Sequence, residues 1–452
     1  MLSLEKIKAY TSLICEQIRW KKAHPQIEEE LTNHIIDQRD FHIAQGFNEN
    51  EATDKAVAET GDAALIGAQL DRAHRPQPQW GMLALTAALL IIGLLIQLFF
   101  FNDSDRPWLL TNRLIGVGIG TIVMLLTYFA DFSILGKYPK TIFSVITLVL
   151  AASFIVSRSV NGDIYFAGSL YYTQYLTFFF PLIFSLVIFY ARNKGVGGIL
   201  LCMASFILII TLTLFIPSVS GFLLFAVSGI ILLSVAVFKN WFNIKRLYGL
   251  ITLSIPTPFA VAFFVSIRSE IWKRLSIALH PELDALGSGY VGTLTRKALS
   301  GAKWFGLGSI PQEFDLQNTD LILTSIITLL GWFAAIVIIS ILLFFVIKGF
   351  ILCAKQKNSL GLFISLAVMI TFTVQAVLYI LFNLGIQFFS PLSLPFISYG
   401  NIMTVINSGL VGFMLSVFRT GNIIKDKKAI TASNENKRLT WEDGKLIINF
   451  KR

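Results

Sequence analysis

Charge is what this chain has least of. Aspartate, glutamate, lysine and arginine together make up 14% of its 452 residues, against about 25% in an ordinary soluble domain. So few charges cannot cover a water-facing surface, and the chain reads as a membrane protein. Cysteine is almost absent too: Cys15, Cys202 and Cys353 lie far apart, which excludes a disulfide framework and any cysteine ligand spacing. Four of the five histidines (His24, His34, His42, His74) fall in the first 80 residues and no HExxH occurs, so zinc-hydrolase chemistry is not expected. No apolar run opens the chain, so no cleavable signal peptide is expected and the first span itself should direct insertion.

Apolar side chains fill the space instead, at 55% of residues with 39 phenylalanines. The net charge is +10, a balance that in a soluble protein suggests nucleic acid. Here the basic residues sit in short loops between apolar runs. The expected partner is therefore an anionic inner leaflet, and no nucleic acid.

Residues 1–75 differ in composition from the rest. Ile7, Tyr10, Ile14 and Ile18 recur at helical spacing, as do Ile27, Leu31 and Ile35 after Pro25. Asn48 with Glu51 reads as a capping box for a third helix, and Gly61-Asp62 punctuates before a fourth. This predicts a small helical cytoplasmic domain, a linker at 76–80, and a membrane domain over 81–419, followed by a basic cytoplasmic tail over 420–452. The segment GFNENEATDKAVAETGDAALIGAQL resembles the prefix domain found ahead of several bacterial permease-type proteins.

The fold class is all-α, with ten expected spans near 81–101, 113–130, 140–157, 174–191, 197–215, 218–238, 248–267, 321–347, 359–382 and 396–418. The four short inner loops hold ten basic residues, among them Lys137, Lys140, Arg192, Lys194 and Lys348, while the short outer ones hold Arg106, Arg113 and Arg158. That asymmetry puts both termini in the cytoplasm of a multi-pass protein. A long external loop, 268–320, separates spans seven and eight. An ordered loop of that length is usually functional.

Within it, HPELDALGSGYVGTLTRKALSGAKWFGLG (280–308) brings glycines such as Gly287 and Gly289, able to approach a ligand closely, together with Arg296, Lys297 and Lys303, suited to phosphate or carboxylate. At its end, DLQNTDLILTSIITLLGW (315–332) leaves Asp320 as the last charge before 27 uncharged residues. Carboxylates at the lip of a span are usually used. Asn318, Thr319 and Asp320 also suit a helix start, so Asp320 can be read as the cap of the eighth span.

The order Pro281, Asp284, Gly287-Ser-Gly-Tyr290, Ala298, Gly306-x-Gly308, Asn318-Thr-Asp320 and Gly331 resembles the large outer loop of the shape, elongation, division and sporulation (SEDS) family, which includes FtsW, RodA and SpoVE. SLPFISYGNIM (393–403) resembles that family's second motif. The resemblance implies peptidoglycan glycan-strand synthesis from lipid II at the outer face of the bacterial cytoplasmic membrane, in cell shape, division or sporulation. It implies Asp320 as the catalytic residue. A membrane-anchored transpeptidase, a class B penicillin-binding protein, is the implied partner. Gly287, Gly289, Tyr290, Arg296, Lys297, Lys303, Ser398 and Tyr399 become candidate substrate-binding residues, with Arg268 a further cation by position. Ser398 and Tyr399 read equally as a helix-entry turn in the interfacial aromatic belt. No cofactor follows, and a divalent cation stays open. The chain departs from the family pattern at Thr328 and Leu329 (glutamates in the family), Val291 and Leu294 (glutamines), Asn318 (histidine) and Ser218 (aspartate). Two other classes remain: a non-catalytic scaffold recruiting cell-wall enzymes, and a transporter or flippase for a lipid-linked sugar. A transporter should carry ionisable groups at mid-membrane, which the spans largely lack.

Overall fold

The computed structural model describes residues 2–101, 107–156, 158–160, 163–165, 171–214, 216, 218–244, 249, 271–388, 390–421, 439–442 and 445–448. The chain forms two compact units, residues 1–78 with 419–425, and residues 79–418 with 426–452.

The first unit holds four helices, α1 Leu2–Glu16, α2 His24–Ala44, α3 Glu49–Thr60 and α4 Ala63–His74. The periodic residues Ile7, Ile14, Ile18, Ile27 and Ile35 are its buried core. The Asn48 side chain accepts the Glu51 N–H at 2.9 Å and opens α3, and Asp62 does the same for α4 through Ala64 N–H at 2.8 Å. Each cap satisfies a helix donor that has no partner within the helix.

The second unit is built from α5 Trp80–Phe101, α6 Pro107–Phe129, α7 Ser133–Lys137, α8 Pro139–Val156, α9 Tyr171–Leu176, α10 Phe180–Ala191, α11 Gly195–Leu214, α12 Val219–Phe238, α13 Ile271–Leu279, α14 Tyr290–Ser300, α15 Ile322–Leu330, α16 Trp332–Ala354, α17 Ser359–Asn383 and α18 Asn401–Thr420. Two antiparallel hairpins, Arg158–Val160 with Asp163–Tyr165 and Leu439–Glu442 with Lys445–Ile448, are small departures from an all-helical fold. Eight helical segments among the described residues are long and apolar enough to cross a membrane, with a shorter apolar helix at Pro139–Ser153. The expected seventh span, 248–267, lies, Gly249 apart, outside the described residues.

At the centre α10 packs against α8, α11, α12 and α17. Ten of its twelve residues are buried, and a helix apolar all round belongs in such a position. By contrast α16 turns Phe333, Ile336, Val337, Leu343, Phe344, Ile347 and Ile351 outward, the face a lipid-exposed helix presents.

The structure corrects the expected eighth span. Instead of one helix over 321–347, a nine-residue helix, α15, stops at Leu330, and the long helix runs from Trp332 to Ala354. Nine residues rise about 13.5 Å, too little for a hydrocarbon core of about 30 Å. Gly331 makes the break at φ +95°, a backbone region that strains any residue with a Cβ. Its position is also crowded, since a Cβ there would meet the Trp304 carbonyl at 2.5 Å. The carbonyls freed at the end of α15 are taken by the loop after α14: Gly308 N–H donates to Thr328 O at 2.8 Å and Gly306 N–H to Leu330 O at 3.2 Å. The Gly306-x-Gly308 pair therefore docks loop on helix.

Candidate active site

The helices α13 and α14 and the Thr319–Asp320 turn meet the ends of α17 and α18 around a cavity of about 1040 Å³. Four of the candidate residues line it: Asp320, Gly289, Ser398 and Tyr399.

Asp320 is set in place by backbone contacts. Its N–H donates to Asn318 Oδ1 at 2.9 Å, and its carbonyl accepts from Asn383 Nδ2 at 3.0 Å. The carboxylate accepts no hydrogen bond from the described residues. The side chain keeps a surface open to the cavity while protein crowds it from its other sides. That crowding pushes its pKa above the usual carboxylate value.

The capping assignment for Asp320 is a correction. Leu321 holds the N-cap position of α15, with no side-chain cap from its own segment. The cap comes from another helix. Asn383, fully buried at the end of α17, accepts the Thr324 N–H on Oδ1 at 3.0 Å, while its carbonyl accepts the Thr324 hydroxyl at 2.8 Å. One amide thus latches α15 and the Asp320 carbonyl to α17. Asn383→Leu strands the Thr324 and Asp320 backbone groups and is expected to lower unfolding free energy by about 2–4 kcal/mol. Denaturation of the purified variant in detergent measures the loss.

The cations expected from sequence lie elsewhere. Arg296 donates to the carbonyls of Gly385 at 3.1 Å and Leu279 at 3.0 Å, and so ties α14 to the chain around it. Lys297 sits 4.0 Å from Glu313, both exposed. The Lys303 carbonyl accepts the Trp332 N–H. None of the three lines the cavity, nor do Gly287 and Tyr290, and Arg268 is outside the described residues. Lys273 and Arg274, on the amphipathic α13, line it instead. Their place in the sequence IWKRLSIAL, a short basic stripe on an apolar helix, is the available signal.

Gly287 and Gly289 belong to a turn organised by Asp284, whose Oδ2 accepts from Ser288 N–H at 2.8 Å and Ser288 Oγ at 2.7 Å. Those bonds, the hydroxyl first, hold the Asp284 carboxyl below its usual pKa. A Cβ on Gly289 would meet the Pro281 carbonyl at 2.2 Å, so glycine there closes the turn that walls the cavity.

On the opposite wall, Ser398 and Tyr399 follow a strained turn. Phe396 is buried with φ +65°, an unfavourable conformation for a residue with a bulky side chain. Two helices hold it. Arg113 donates through Nη2 to Phe396 O and through Nη1 to Thr404 Oγ1, both at 2.5 Å, and Gln97 Nε2 donates to Ile397 O at 3.3 Å. Arg113 is fully buried inside α6, so its assignment to a loop is corrected. Burial, the larger effect, raises the Tyr399 pKa, opposed by an Asn112 hydrogen bond and the Arg113 charge.

Among the described residues lining the cavity Asp320 is the one carboxylate, and no cluster of three or more His, Cys, Asp or Glu able to hold a metal occurs among the described residues. These donors do not form a protein cage for a divalent cation.

The family model of cell cycle proteins that takes in FtsW, RodA and SpoVE matches residues 79–422. Among curated relatives, the probable peptidoglycan glycosyltransferase FtsW of Trichlorobacter lovleyi is 26% identical over 330 residues, 70% of this chain and 85% of that protein. The FtsW of Nitrosomonas europaea, described in the same terms, is 23% identical over 74% of this chain and 82% of its own length. Among solved structures, a chain of a peptidoglycan synthase complex that coordinates polymerization and crosslinking superposes with TM-score 0.60 at 21% identity, over 77% of this chain and 99% of that one. The rod shape determining protein RodA of Thermus thermophilus gives 0.52 at 18%, over 76% and 97%. The structural likenesses speak to the fold.

Proposed function

The chain belongs to the FtsW/RodA/SpoVE (SEDS) family of cell cycle proteins, and from that premise we propose that it is a peptidoglycan glycosyltransferase that polymerises lipid II at the outer face of the cytoplasmic membrane. What carries the reading is one cavity in which, among the described residues, Asp320 is the one carboxylate and has no hydrogen-bond partner for it, with the cations Lys273 and Arg274 beside it on the wall. Its volume of about 1040 Å³ is at the top of the range for ligand pockets, about 300–1,000 Å³.

The chemistry follows from those groups. An acceptor sugar hydroxyl attacks the anomeric carbon of the donor, the new C–O bond forms, and the bond to the pyrophosphate oxygen breaks. Asp320 takes the hydroxyl proton as the attack proceeds. A carboxyl whose pKa is raised by burial is a stronger base than an exposed one, once ionised. The pyrophosphate leaves as an anion, and Lys273 and Arg274 are the groups positioned to meet its charge. Ser398, Tyr399 and Gly289 shape the walls against which the sugars lie.

Purified protein in detergent, supplied with lipid II, is expected to make glycan strands. A wild type that makes none, even with a class B penicillin-binding protein present, transfers the case to the scaffold reading.

The same proposal puts residues 1–75 and the C-terminal tail in the cytoplasm and 271–320 outside. All three native cysteines are buried, so single introduced cysteines report without background. Ser300→Cys is expected to react with an impermeant maleimide added to intact cells, and Asn50→Cys only after the membrane is opened. Labelling of Ser300→Cys solely from the inside places the cavity on the wrong face and ends the proposal.

A further inference from the structure

The loop between α14 and α15 turns large apolar side chains outward, where a segment surrounded by water should turn polar ones. Trp304 is 68% exposed and Phe305 70%, and Leu307, Leu330 and Phe333 are exposed with them. No carboxylate occurs anywhere from Ala285 to Gln312. A contiguous apolar patch of this kind marks a surface that something other than water covers.

The backbone under the patch is prepared for a dry neighbour. The carbonyls of Lys303 and Trp304 accept the first N–H groups of α16, from Trp332 at 3.1 Å and Phe333 at 3.2 Å. Gly306 and Gly308 donate to the last carbonyls of α15, and Ser309 N–H donates to Gly301 O at 2.9 Å. Such groups find no partner in lipid, so an unpaired loop stays out of a bilayer. This one is paired through two helices.

The depth of the patch is set by α16. Its 23 residues rise about 34 Å, slightly more than a hydrocarbon core of about 30 Å, so its first turn lies at a membrane interface. Phe333 belongs to that turn, and its ring centre is 5.1 Å from that of Phe305. The outward apolar face of α16 therefore continues into the loop without a break. Aromatic rings collect at this level of a membrane, and Lys303, exposed beside them, suits the phosphates of the headgroups.

We propose that Trp304, Phe305 and Leu307 form a wedge that seats the loop in the lipid leaflet on the cavity's side of the membrane. Another protein is the alternative cover. Continuity with the lipid face of α16 and the want of any carboxylate favour lipid. Leu330, in the patch, ends the nine-residue helix α15 that starts two residues after Asp320. A seated wedge thus holds the cavity at a fixed height relative to the headgroups. That consequence alone rests on the glycosyltransferase reading, because only a lipid-borne substrate makes the height matter.

The native cysteines are buried, so a nitroxide on Phe305→Cys reports without background. The test uses the full chain alone in phosphatidylcholine–phosphatidylglycerol vesicles, with power saturation against oxygen and a water-soluble nickel chelate. The label is expected about 5–10 Å into the boundary between headgroups and acyl chains, while one on the exposed Glu313→Cys is expected in water. Should Phe305→Cys not fold, Leu307→Cys repeats the measurement. Trp304 also serves as a native probe, since the emission that Trp304→Phe removes is expected to be quenched by brominated lipid. A Phe305 label as open to the nickel chelate as the Glu313 label overturns the proposal. So does a label shielded from both reagents, because another chain then covers the patch. No substrate enters the measurement, so its failure and that of the glycosyltransferase reading are separate events.

Discussion

Asp320→Asn is expected to lower glycan polymerisation by about a hundred- to ten-thousandfold, the usual worth of a general base, while the protein folds and inserts. An amide matches the carboxyl in size but cannot take the acceptor's proton. The structure strengthens this test, because the carboxylate caps nothing. Asn383 holds α15, and Asn318 holds the Asp320 backbone. The variant should therefore lose no helix cap.

Stability should move the other way. The folded pKa of Asp320 is raised, so the fold prefers the protonated carboxyl. Whatever this preference contributes is present below the unfolded pKa and is lost as pH rises through the raised folded one. At neutral pH the wild type carries an ionised, crowded carboxylate, and Asp320→Asn should be at least as stable in thermal unfolding. Near pH 3, where both are neutral, the difference should close. The rate should fall on the acid side with a midpoint above the ordinary carboxylate range. Asp284→Asn is the control: its partner Ser288 can rotate to suit an amide, and it lies outside the cavity wall. If Asp320→Asn polymerises near the wild-type rate, the base lies elsewhere.

The second large effect is expected at Arg113, and it is structural. Arg113→Met leaves the Phe396 carbonyl without its donor in a turn already strained at φ +65°. The Thr404 hydroxyl keeps its bond to Gly400 O at 2.8 Å, so the Phe396 carbonyl bears the loss. Removing a buried cation also relieves its desolvation, which offsets part of the damage. A net loss of about 2–4 kcal/mol is expected on unfolding in detergent. Polymerisation should fall further than stability alone accounts for, because Ser398 and Tyr399 line the cavity from this turn. Arg113→Lys keeps the charge but cannot hold both acceptors in a planar fork, and should lie between the two. Wild-type stability and rate in Arg113→Met would show that the turn stands without its clamp.

Close approach supports the same clamp. A Cβ on Gly93 would meet the Phe396 carbonyl at 2.0 Å and Arg113 Nη2 at 3.0 Å. Glycine at that point of α5 lets carbonyl and guanidinium meet beneath the motif. A small side chain there should produce a milder form of the Arg113 defect.

Much of the site is legible in the sequence, though unevenly. Asp320 stands out because a charge beside 27 uncharged residues is a local property of the chain. Ser398 and Tyr399 are marked by a contiguous motif. Lys273 and Arg274 carry no such mark, because α13 precedes the glycine-rich segment and only folding brings the two to the cavity wall. Asn383 suits either a cap for its own helix or a cavity residue. It is a cap for a different helix, made across 59 residues of sequence.

Composition, the scarcity of charge and the periodicity within single segments were enough to determine a helical membrane protein and a separate four-helix N-terminal unit, and to single out Asp320 as a candidate. Each of those is set by residues close together in the chain. Tertiary structure alone decided that the eighth apolar run breaks at Gly331 and that Arg113 is a buried clamp. A run of apolar residues has the same hydropathy whether it is one helix or two. The break shows only when the Trp304 carbonyl is packed against Gly331 and loop N–H groups take the freed carbonyls. A donor in α6 likewise gains its meaning from an acceptor 283 residues away, which no periodicity within one segment can report.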